Sequence, residues 1–498
     1  MWFNGKLLKD ARSGSLFLDC LDMELKGNTP EKPGYFRGPG YIKQGESGLE
    51  FKIYAKELEN VDIRAMWTDP GPKAGELFRH EHYYSLFAVD NSGTRWTAGQ
   101  IKPYPSHSSH PSPSSIVITG SIFELESRHE DDFVYQLNHL TIAVYESVTV
   151  PFNTTTNYLK SKGNEEPECF RTASEETEFR AAGCDFTVNM EDGVLLLSAK
   201  SAHPFPELLE ARVIEALLFV LGRPVWWRES NRSTGNTSRL RLRSRIITPT
   251  PIRMKAPFYE RFDSIYKNYW RLFALYLEFV VTYEQPEFHP CSAFLLSVSQ
   301  ASSNSAHGYA LNLAVAVEGL VKHLHKDQRA KDPDYEKAVE AFKEHVASWP
   351  QLDYWANQGG PNRERLIGLT NILNQGSPQD HLYRLAKENK LIKNHVIIWK
   401  ELRTQAAHSL DNPNSPQLQK LLRDIDTVIV LMYHLLFHVI GYQGPYVDFS
   451  TVGYPTRIYP PWRPQPVDSS IESVRAALAN LASQVSEEEE TSQNRPHP

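Results

Sequence analysis

An arginine and a histidine five positions apart are the residues of this chain whose types and placement best suit chemistry. Arg403 and His408 lie near the end of a predicted helix in the segment Asn394 to Leu410, NHVIIWKELRTQAAHSL. Arginine presents a rigid fork of donors that matches anionic oxygen atoms, and histidine exchanges a proton near neutral pH. The pair therefore indicates a site that binds a negatively charged group and transfers protons.

The spacing of apolar residues in this segment sets an expectation for Arg403. Ile392, Val396 and Trp399 step along one face of the helix, and the next step falls on Arg403. Because a buried, unpaired charge is costly, we expect Arg403 to have an acidic partner or a functional role. Chance alone gives about one Arg-x4-His pair in a chain of this composition. The alternative is a surface arginine followed by a histidine that the helix dipole favours.

Length, charge and cysteine usage limit the class of protein. A chain of 498 residues has room for about three domains, and its net charge of −7 gives no overall basic signature for nucleic acid. The four cysteines form no C-x-x-C motif, which argues against a disulfide framework or a zinc site and favours a reducing compartment. They are Cys20, Cys169, Cys184 and Cys291.

The sequence also predicts a cytoplasmic protein that needs no membrane, metal ion or other cofactor. The N-terminal residues contain no signal-peptide core, and the longest apolar run, Val428 to Ile440, is too short to span a bilayer. His434 and His438 lie one helical turn apart in that run, but no H-E-x-x-H pattern accompanies them. We therefore expect satisfied core or interface histidines rather than metal ligands.

The predicted fold class is α+β: a β-rich, sandwich-like region over residues 1–255 followed by an all-α bundle over residues 256–441. Short alternating runs continue to about residue 150, and residues 151–255 add strands, a helix from about Pro206 to Leu221 and a hairpin turn at Glu191-Asp192-Gly193. Residues 1–150 and 151–255 are possible subdomains. Residues 442–498 form a Pro- and Tyr-rich extension, a short helix and an acidic tail.

The strongest local basic feature is the segment RLRLRSRI. Arg239, Arg241, Arg243 and Arg245 alternate with Leu240, Leu242, Ser244 and Ile246, so a strand places all four arginines on one face. Four guanidinium groups in a row can follow a phosphate backbone, which predicts RNA contact. The alternative is the solvated face of an edge strand, where charges block unwanted pairing.

The helical part resembles the HEPN superfamily over about residues 290–441. The resemblance rests on the helix ALNLAVAVEGLVK with Glu318, the segment WKELRTQAAHSL with Arg403 and His408, and the long helix that follows. Upstream, FNGKLL…GSLFLDCLDMELKG and YYSLFAVDNSGTRWTA resemble the N-terminal domain of the ApeA-type bacterial members.

This resemblance implies a metal-independent endoribonuclease, of a type associated with anti-phage defence and with cleavage of RNA such as tRNA. It further implies that two HEPN domains pair about a two-fold axis and that a trigger, such as a phage product, acts through the β-rich region. Arg403 and His408 would then be catalytic, with Glu318 and Thr404 in support. Family members often have a polar residue such as asparagine directly after the arginine, where this chain has Thr404. Some have a tyrosine two residues after the histidine, where this chain has Leu410.

The expected chemistry is attack of a ribose 2′-hydroxyl on the neighbouring phosphate. His408 would act as general base or acid and Arg403 would stabilise the negative charge of the phosphorane, giving a 2′,3′-cyclic phosphate and a 5′-hydroxyl. Five residues along a regular helix turn its direction by about 140°. The helix must therefore end or distort near Ala407, or a second copy must complete the pair.

Two other functions fit the sequence. One is a non-catalytic HEPN-fold binding or scaffold protein in which Arg403 is structural and pairs with Glu318. The other is a β-sandwich recognition module for a sugar or a protein, with the bundle acting only in dimerisation. In that case Trp96, Trp226 and Trp227 are suspected ligand platforms, although core packing also explains them.

Overall fold

The protein consists of a long series of strands followed by a series of helices. A computed structural model describes residues 5–29, 35–45, 48–59, 83–107, 116–144, 148–152, 154–158, 169–173, 176–244, 254–258, 266–324, 333–352, 354, 363–373, 377–408 and 415–461. The strands in these ranges are β1 (Phe17–Gly27), β2 (Tyr35–Gly45), β3 (Gly48–Ala55), β4 (Glu57–Glu59), β5 (Tyr84–Asp90), β6 (Arg95–Ile101), β7 (Tyr104–His107), β8 (Ile116–Ile122), β9 (Glu124–Glu130), β10 (Asn138–Val144), β11 (Thr154–Tyr158), β12 (Cys169–Ala173), β13 (Glu176–Ala181), β14 (Cys184–Glu191), β15 (Val194–Ser201), β16 (Glu229–Thr234), β17 (Thr237–Arg243), β18 (Gly444–Val447) and β19 (Thr456–Tyr459). The helices in the same ranges are α1 (Gly5–Ser13), α2 (Leu209–Leu221), α3 (Tyr266–Val280), α4 (Pro290–Ala301), α5 (Ala306–Leu324), α6 (Pro333–Ser348), α7 (Arg363–Leu373), α8 (Pro378–Lys387), α9 (Lys393–His408) and α10 (Ser415–Val439).

Most of the strands form one large antiparallel sheet of 15 strands. Its order is β13-β14-β15-β10-β16-β17-β9-β6-β5-β1-β2-β3-β8-β7, and β4 pairs with β2. Strand β6 also approaches β8, so the N-terminal part of the sheet curls back on itself. The predicted α+β class, with a β-rich N-terminal region followed by a mainly helical one, is confirmed.

Two large apolar cores and one small cluster of Ala143, Val194 and Leu196 lie within the described residues. The first lies within the curled part of the sheet and includes Met23, Phe36 and Ile53, with α1 packed against it. The second starts on β10 and β13–β15 and continues through α2 into the helices. Residues on both sides of the predicted boundary at 255/256 therefore share one core, and the boundary itself stays a prediction.

The turn between β14 and β15 forms where the sequence predicts a hairpin. Glu191 pairs with Val194 across the turn. Asp192 and Gly193 have φ angles of 51° and 77°, and two successive positive values match the right-handed twist of the flanking strands. The predicted hairpin at Glu191-Asp192-Gly193 is confirmed.

Helix α2 lies in the centre of the second core, and 11 of its 13 residues are buried. It ends at Leu221, as predicted, because Gly222 has a left-handed conformation with φ 63° and donates its N–H to the carbonyl of Leu218. A Cβ atom at Gly222 would meet the carbonyl oxygen of Met254. Both the backbone conformation and this close approach require glycine.

Two of the charged residues of α2 fix the segment between α3 and α4. The buried Arg212 forms an ion pair with the buried Glu215 and donates to the carbonyls of Tyr283 at 2.9 Å and Glu287 at 3.0 Å. Glu215 also accepts the N–H of His289 at 3.2 Å. The charges of this apolar helix are thus paired, as burial requires, and they connect it to the helical region.

The described part of the C-terminal extension packs on the helices. β18 and β19 form a hairpin, and Tyr442, Tyr446 and Tyr459 belong to the second core. The predicted short helix and the acidic tail lie outside the described residues. In the part of the chain that the structure describes, no helix combines the length and the apolar composition needed to cross a membrane.

Two histidines are buried beneath this hairpin. The rings of His395 on α9 and His434 on α10 lie 6.0 Å apart, with Tyr446 and Tyr459 around His434. Within the described residues, both ring nitrogens of His434 and Nδ1 of His395 have no hydrogen-bond partner. The prediction of a satisfied core histidine is therefore wrong for His434: apolar and aromatic packing fixes the ring and offers it no acceptor or donor.

We predict that these histidines make folding sensitive to mild acid. Burial lowers the pKa of His395 to about 4, against an opposing effect of Asp448, and burial lowers the pKa of His434 well below its usual value. The unfolded rings take up protons below about pH 6.5, whereas the folded His395 stays neutral until about pH 4 and the folded His434 stays neutral well below pH 6.5. Stability present above pH 6.5 is therefore lost as the pH falls through that window.

The test is urea unfolding between pH 7 and 5 of the wild type and of His434→Leu. We expect the substitution to reduce the pH slope of the unfolding free energy by up to about 1.4 kcal/mol per pH unit. His345→Leu, at an exposed position of α6, is the control and should keep the wild-type slope. An unchanged slope in His434→Leu would show that His434 is charged or hydrated in the folded protein.

Candidate functional site

Helix α9 presents Arg403 at the edge of its buried face. Val396, Trp399 and Leu402 are each no more than 1% exposed, whereas the Arg403 side chain is 53% exposed. The expectation that Arg403 takes the buried position is wrong. A step of three from Trp399 leads to Leu402, and at 3.6 residues per turn this leucine fills the stripe and displaces Arg403 to its margin.

Two contacts that are one helical turn apart attach α9 to α5. The indole Nε1 of Trp399 donates to the carbonyl of Ala314 at 3.1 Å. Four residues further on each helix, Nη2 of Arg403 lies 2.8 Å from Oε2 of Glu318. The buried tryptophan therefore fixes the register in which the arginine meets the carboxylate.

Glu318 is shared between two cations. Its Oε1 atom lies 2.7 Å from Nζ of Lys322, one turn further along α5, and its side chain is 16% exposed. Arg403 keeps more than half of its side chain in solvent, so the pair is a surface ion pair in energetic terms, worth about 1 kcal/mol or less. Arg403 is positioned by Glu318 and can still contact a ligand.

Thr404 and His408 complete the predicted motif. The Thr404 hydroxyl donates to the carbonyl of Lys400 at 3.0 Å, which is the local bond expected of a threonine on an exposed helix face. Helix α9 extends through His408, which places positions 403 and 408 about 140° apart around its axis. The His408 side chain lies outside the described residues.

The arginines of RLRLRSRI form a half-buried ladder on β17. Leu240 and Leu242 enter the first core, while Arg239, Arg241 and Arg243 lie on the opposite face, as the period of two predicts. The three arginine side chains are 16–25% exposed. Arg245 lies outside the described residues.

Carboxylates and a tryptophan hold this ladder. Nη2 of Arg241 lies 2.6 Å from Oε1 of Glu210 on α2, and Nε of Arg243 lies 2.6 Å from Oε2 of Glu124 on β9. The central carbon of the Arg243 guanidinium lies 3.6 Å from the centroid of the Trp227 ring. Strand β17 lies between β16 and β9, so the edge-strand alternative is wrong. RNA contact through the ladder stays a prediction, and much of the ladder's charge is already neutralised within the protein.

Glu210 is the residue that the sequence analysis missed at this ladder. Burial would raise the pKa of its carboxyl group, but the guanidinium groups of Arg232, Arg241 and Arg239 outweigh that effect and hold the pKa below its usual value. The signal in the sequence was a run of charged residues inside the otherwise apolar helix LEARVIEALLFVL. Charges in so apolar a helix require partners.

The suspected tryptophan platforms are largely part of the cores. Trp96 is 1% exposed and donates its Nε1 hydrogen to Asp90 at 2.9 Å, and Trp227 is 2% exposed beneath the ladder. Trp226 makes an edge contact with Phe288. Neither Trp96 nor Trp227 offers a ring face to a ligand.

No protein-family model, curated protein or solved structure matches this chain. The geometry of the described residues therefore carries the functional argument. The charged residues form two separate clusters. In one, Arg403 on α9 pairs with Glu318 on α5. In the other, the ladder arginines on β17 pair with Glu210 on α2 and Glu124 on β9.

We predict that the pair of Arg403 and Glu318 contributes little to folding. Glu318→Gln should lower the free energy of unfolding by less than about 1 kcal/mol, because Arg403 is half-exposed and water replaces the lost acceptor. Leu402→Ala, one residue away on α9 and fully buried, should lower it by about 2–5 kcal/mol. Urea unfolding of the two variants at neutral pH provides the comparison.

Thr404→Ala serves as a control for substitution at the exposed face of α9 and should lie within about 0.5 kcal/mol of wild type. A loss in Glu318→Gln as large as that in Leu402→Ala would mean that the ion pair is a structural element of the bundle. That result would favour the scaffold function over a catalytic one.

Proposed function

We propose that the chain is a metal-independent endoribonuclease of the HEPN type that acts as a regulated toxin in anti-phage defence. The observation that carries the proposal is the arrangement of Arg403: a neighbouring helix holds it through Glu318, and half of its side chain stays in solvent. It lies on the helix that ends at His408. Positioned but accessible positive charge is what cleavage at a phosphate requires. The proposed substrate is RNA, with tRNA as one candidate.

In the proposed reaction each residue has one task. His408 takes the proton of the ribose 2′-hydroxyl, whose oxygen attacks the adjacent phosphorus, and a protonated histidine gives a proton to the leaving 5′-oxygen. Arg403 donates hydrogen bonds to the phosphorane oxygens, while Glu318 sets the direction of its guanidinium group. Thr404 supports the helix locally. The bond between the 2′-oxygen and phosphorus forms as the bond between phosphorus and the 5′-oxygen breaks. The products are a 2′,3′-cyclic phosphate and a 5′-hydroxyl, and no cofactor is consumed.

The proposed site is completed by a second copy of the chain. Positions 403 and 408 diverge on α9, so a single helix does not direct both at one phosphate. Next to Glu318, the exposed face of α5 carries Leu311 and Val315, which are 39% and 52% exposed. These apolar residues lie on the same stripe as Glu318 and Lys322, since the steps are four, three and four. A symmetric dimer formed there would bring two copies of the motif together.

The β-rich region is proposed to sense the trigger, which we expect to be a phage product. The shared second core supports this, because α2 touches both the sheet and the segment that leads into α4. The arginine ladder is proposed to stabilise this connection as well as to contact RNA, since Glu210 of α2 binds it directly.

The scaffold function is favoured by the same ion pair. A non-catalytic protein would keep Arg403 bonded to Glu318, and this bond is present at 2.8 Å. The two functions differ in what Arg403 does when RNA is supplied, and only the nuclease requires His408. The recognition-module alternative is less supported because Trp96 and Trp227 are buried.

We predict that cellular RNA is cleaved in cells that express the wild-type chain during phage infection and stays intact with His408→Ala. The reason is the loss of the proton-transfer group. RNA is analysed on gels, and the new ends are tested for cyclic phosphate and 5′-hydroxyl groups. Arg403→Lys should reduce cleavage strongly, since a lysine keeps the charge but not the planar fork.

His345→Ala, at matched expression, controls for loss of an exposed helical histidine and should cleave like the wild type. Intact RNA in wild-type cells both with and without infection would contradict the nuclease proposal. Cleavage that persists in His408→Ala would assign the activity to other residues.

We predict that Val315→Glu shifts the protein from dimer to monomer. An extra negative charge on the apolar stripe would face its symmetry copy and lose its hydration in the interface. Mass measurement by light scattering during gel filtration reads the outcome. Val134→Glu, at an exposed position of the β-rich region, is the matched control, and a dimer that survives Val315→Glu would place the interface elsewhere.

A further inference from the structure

A histidine, a cysteine and a second histidine converge at the junction of α4 and α5. The ligand atoms of His289, Cys291 and His323 all lie within 4.8 Å of one another. His289 is the residue before α4, Cys291 lies in its first turn, and His323 lies in the last turn of α5. The three residues come from two elements that the fold brings together.

The surroundings of this cluster fix two of its three members. His289 is 6% exposed and Cys291 is fully buried, while His323 lies at the surface. The rings of Phe279 and Tyr283 contact the His289 imidazole at centroid distances of 4.7 and 5.3 Å. Two buried ligands and a third at the surface give an ion a path of entry.

The backbone around His289 is also held from outside the cluster. Glu215 on α2 accepts the His289 N–H at 3.2 Å, and Arg212 of the same helix binds the carbonyls of the preceding segment. Supporting contacts of this kind orient the ligands of metal sites in proteins.

We propose that His289, Cys291 and His323 bind a borderline-soft divalent metal ion of the zinc class. Imidazole and thiolate are the donors that zinc and cobalt prefer, whereas magnesium and calcium take oxygen atoms. Three protein ligands leave a fourth tetrahedral position for water or another ligand. This site is separate from the Arg403 and His408 motif, and its ion takes no part in the proposed RNA cleavage.

The distances need only a small adjustment. Ligand atoms around a tetrahedral zinc ion lie about 3.3–3.8 Å apart, given bonds of about 2.0–2.3 Å. The His323 side chain is at the surface, so it can close the remaining gap by a change of rotamer. The Cys291 thiol loses its proton to solvent when the sulfur–metal bond forms.

Metal binding would replace an existing hydrogen bond. Nδ1 of His289 accepts the N–H of Cys291 at 3.1 Å and so caps helix α4. The neutral ring therefore carries its proton on Nε2. Coordination through Nδ1 would use this acceptor directly, and coordination through Nε2 would move the proton to Nδ1. One capping bond is given up and three coordinate bonds are formed.

An ion at this place would join the start of α4 to the end of α5. Helix α5 carries Glu318 five residues before His323, so the ion would fix the end of the helix that positions Arg403. The proposed role of the ion is structural, and ion binding can be measured without any RNA substrate.

The first measurement uses the purified full chain, stripped with a chelator and titrated with Co²⁺. We expect one cobalt ion per chain, with a thiolate-to-cobalt charge-transfer band and visible bands of tetrahedral intensity. Zn²⁺ should displace the cobalt and remove the bands. The absence of any charge-transfer band would overturn the proposal.

Variants assign the ligands. Cys291→Ser should abolish the charge-transfer band, and His323→Ala, a surface change that leaves the core intact, should weaken cobalt binding by at least tenfold. His345→Ala is the matched control and should bind like wild type. A band that persists in Cys291→Ser, or unchanged affinity in His323→Ala, would show that other residues bind the ion. Circular dichroism of each variant confirms folding, and none of these readouts depends on RNA cleavage.

Discussion

The charges inside helix α2 are the constraint on which much of the structure depends. An apolar helix in the middle of a core holds Glu210, Arg212 and Glu215 at 1% exposure or less. Removing one partner of a buried ion pair typically costs about 3–5 kcal/mol, because the other charge is left unpaired. The parts of the chain that satisfy these charges must therefore fold against α2. They are the arginine ladder of the sheet on one side and the segment before α4 on the other.

This arrangement gives a continuous series of direct contacts from the sheet to the candidate site. Glu210 binds the ladder on β17, Arg212 and Glu215 hold the segment that ends at His289, and α4 packs on α5. Helix α5 then carries Glu318, which binds Arg403. A trigger of the proposed kind that displaced the ladder would break buried ion pairs, and buried charges are costly unless they are paired. The path is physically contiguous, which is the requirement for coupling through packed elements.

The sequence predicted the features of this protein that depend on local spacing. The period of two in RLRLRSRI, the turn at Asp192-Gly193 and the end of α2 at Gly222 follow from rules that act within a few residues. Rules that act within a few residues do not identify which acidic side chain pairs with which basic side chain across the fold. Glu210 precedes the ladder by about 30 residues, so that pairing depends on how helix and sheet pack. The pair of Glu318 and Arg403, which are 85 residues apart, is expected only through the family resemblance, as part of the scaffold alternative, and not from local spacing.

The misses have the same origin. A step of four from Trp399 leads to Arg403, whereas a step of three leads to Leu402, and it is Leu402 that is buried. The two positions differ by about 100° around the helix, and apolar spacing alone does not choose between them. The absence of a C-x-x-C motif argues against zinc, and that expectation stays a prediction. Local spacing could not reveal the cluster of His289, Cys291 and His323, because these residues come together only when α4 packs on α5. His434 looked like a residue that would find a partner, and the aromatic side chains around it supply none.

The energies of the arginine contacts separate structural arginines from one suited to chemistry. Arg212 is fully buried, with a carboxylate and several carbonyls as partners, and its release would leave unpaired charge in the core. Arg403 has one carboxylate partner at the surface, and surface pairs of this kind are worth about 1 kcal/mol or less. A phosphate group, with its stronger charge-assisted bonds, can therefore draw Arg403 from Glu318 at little cost. Under the proposed function, the same carboxylate would keep the guanidinium group in place while no substrate is bound, and a weak ion pair suits that role because it is released at little cost.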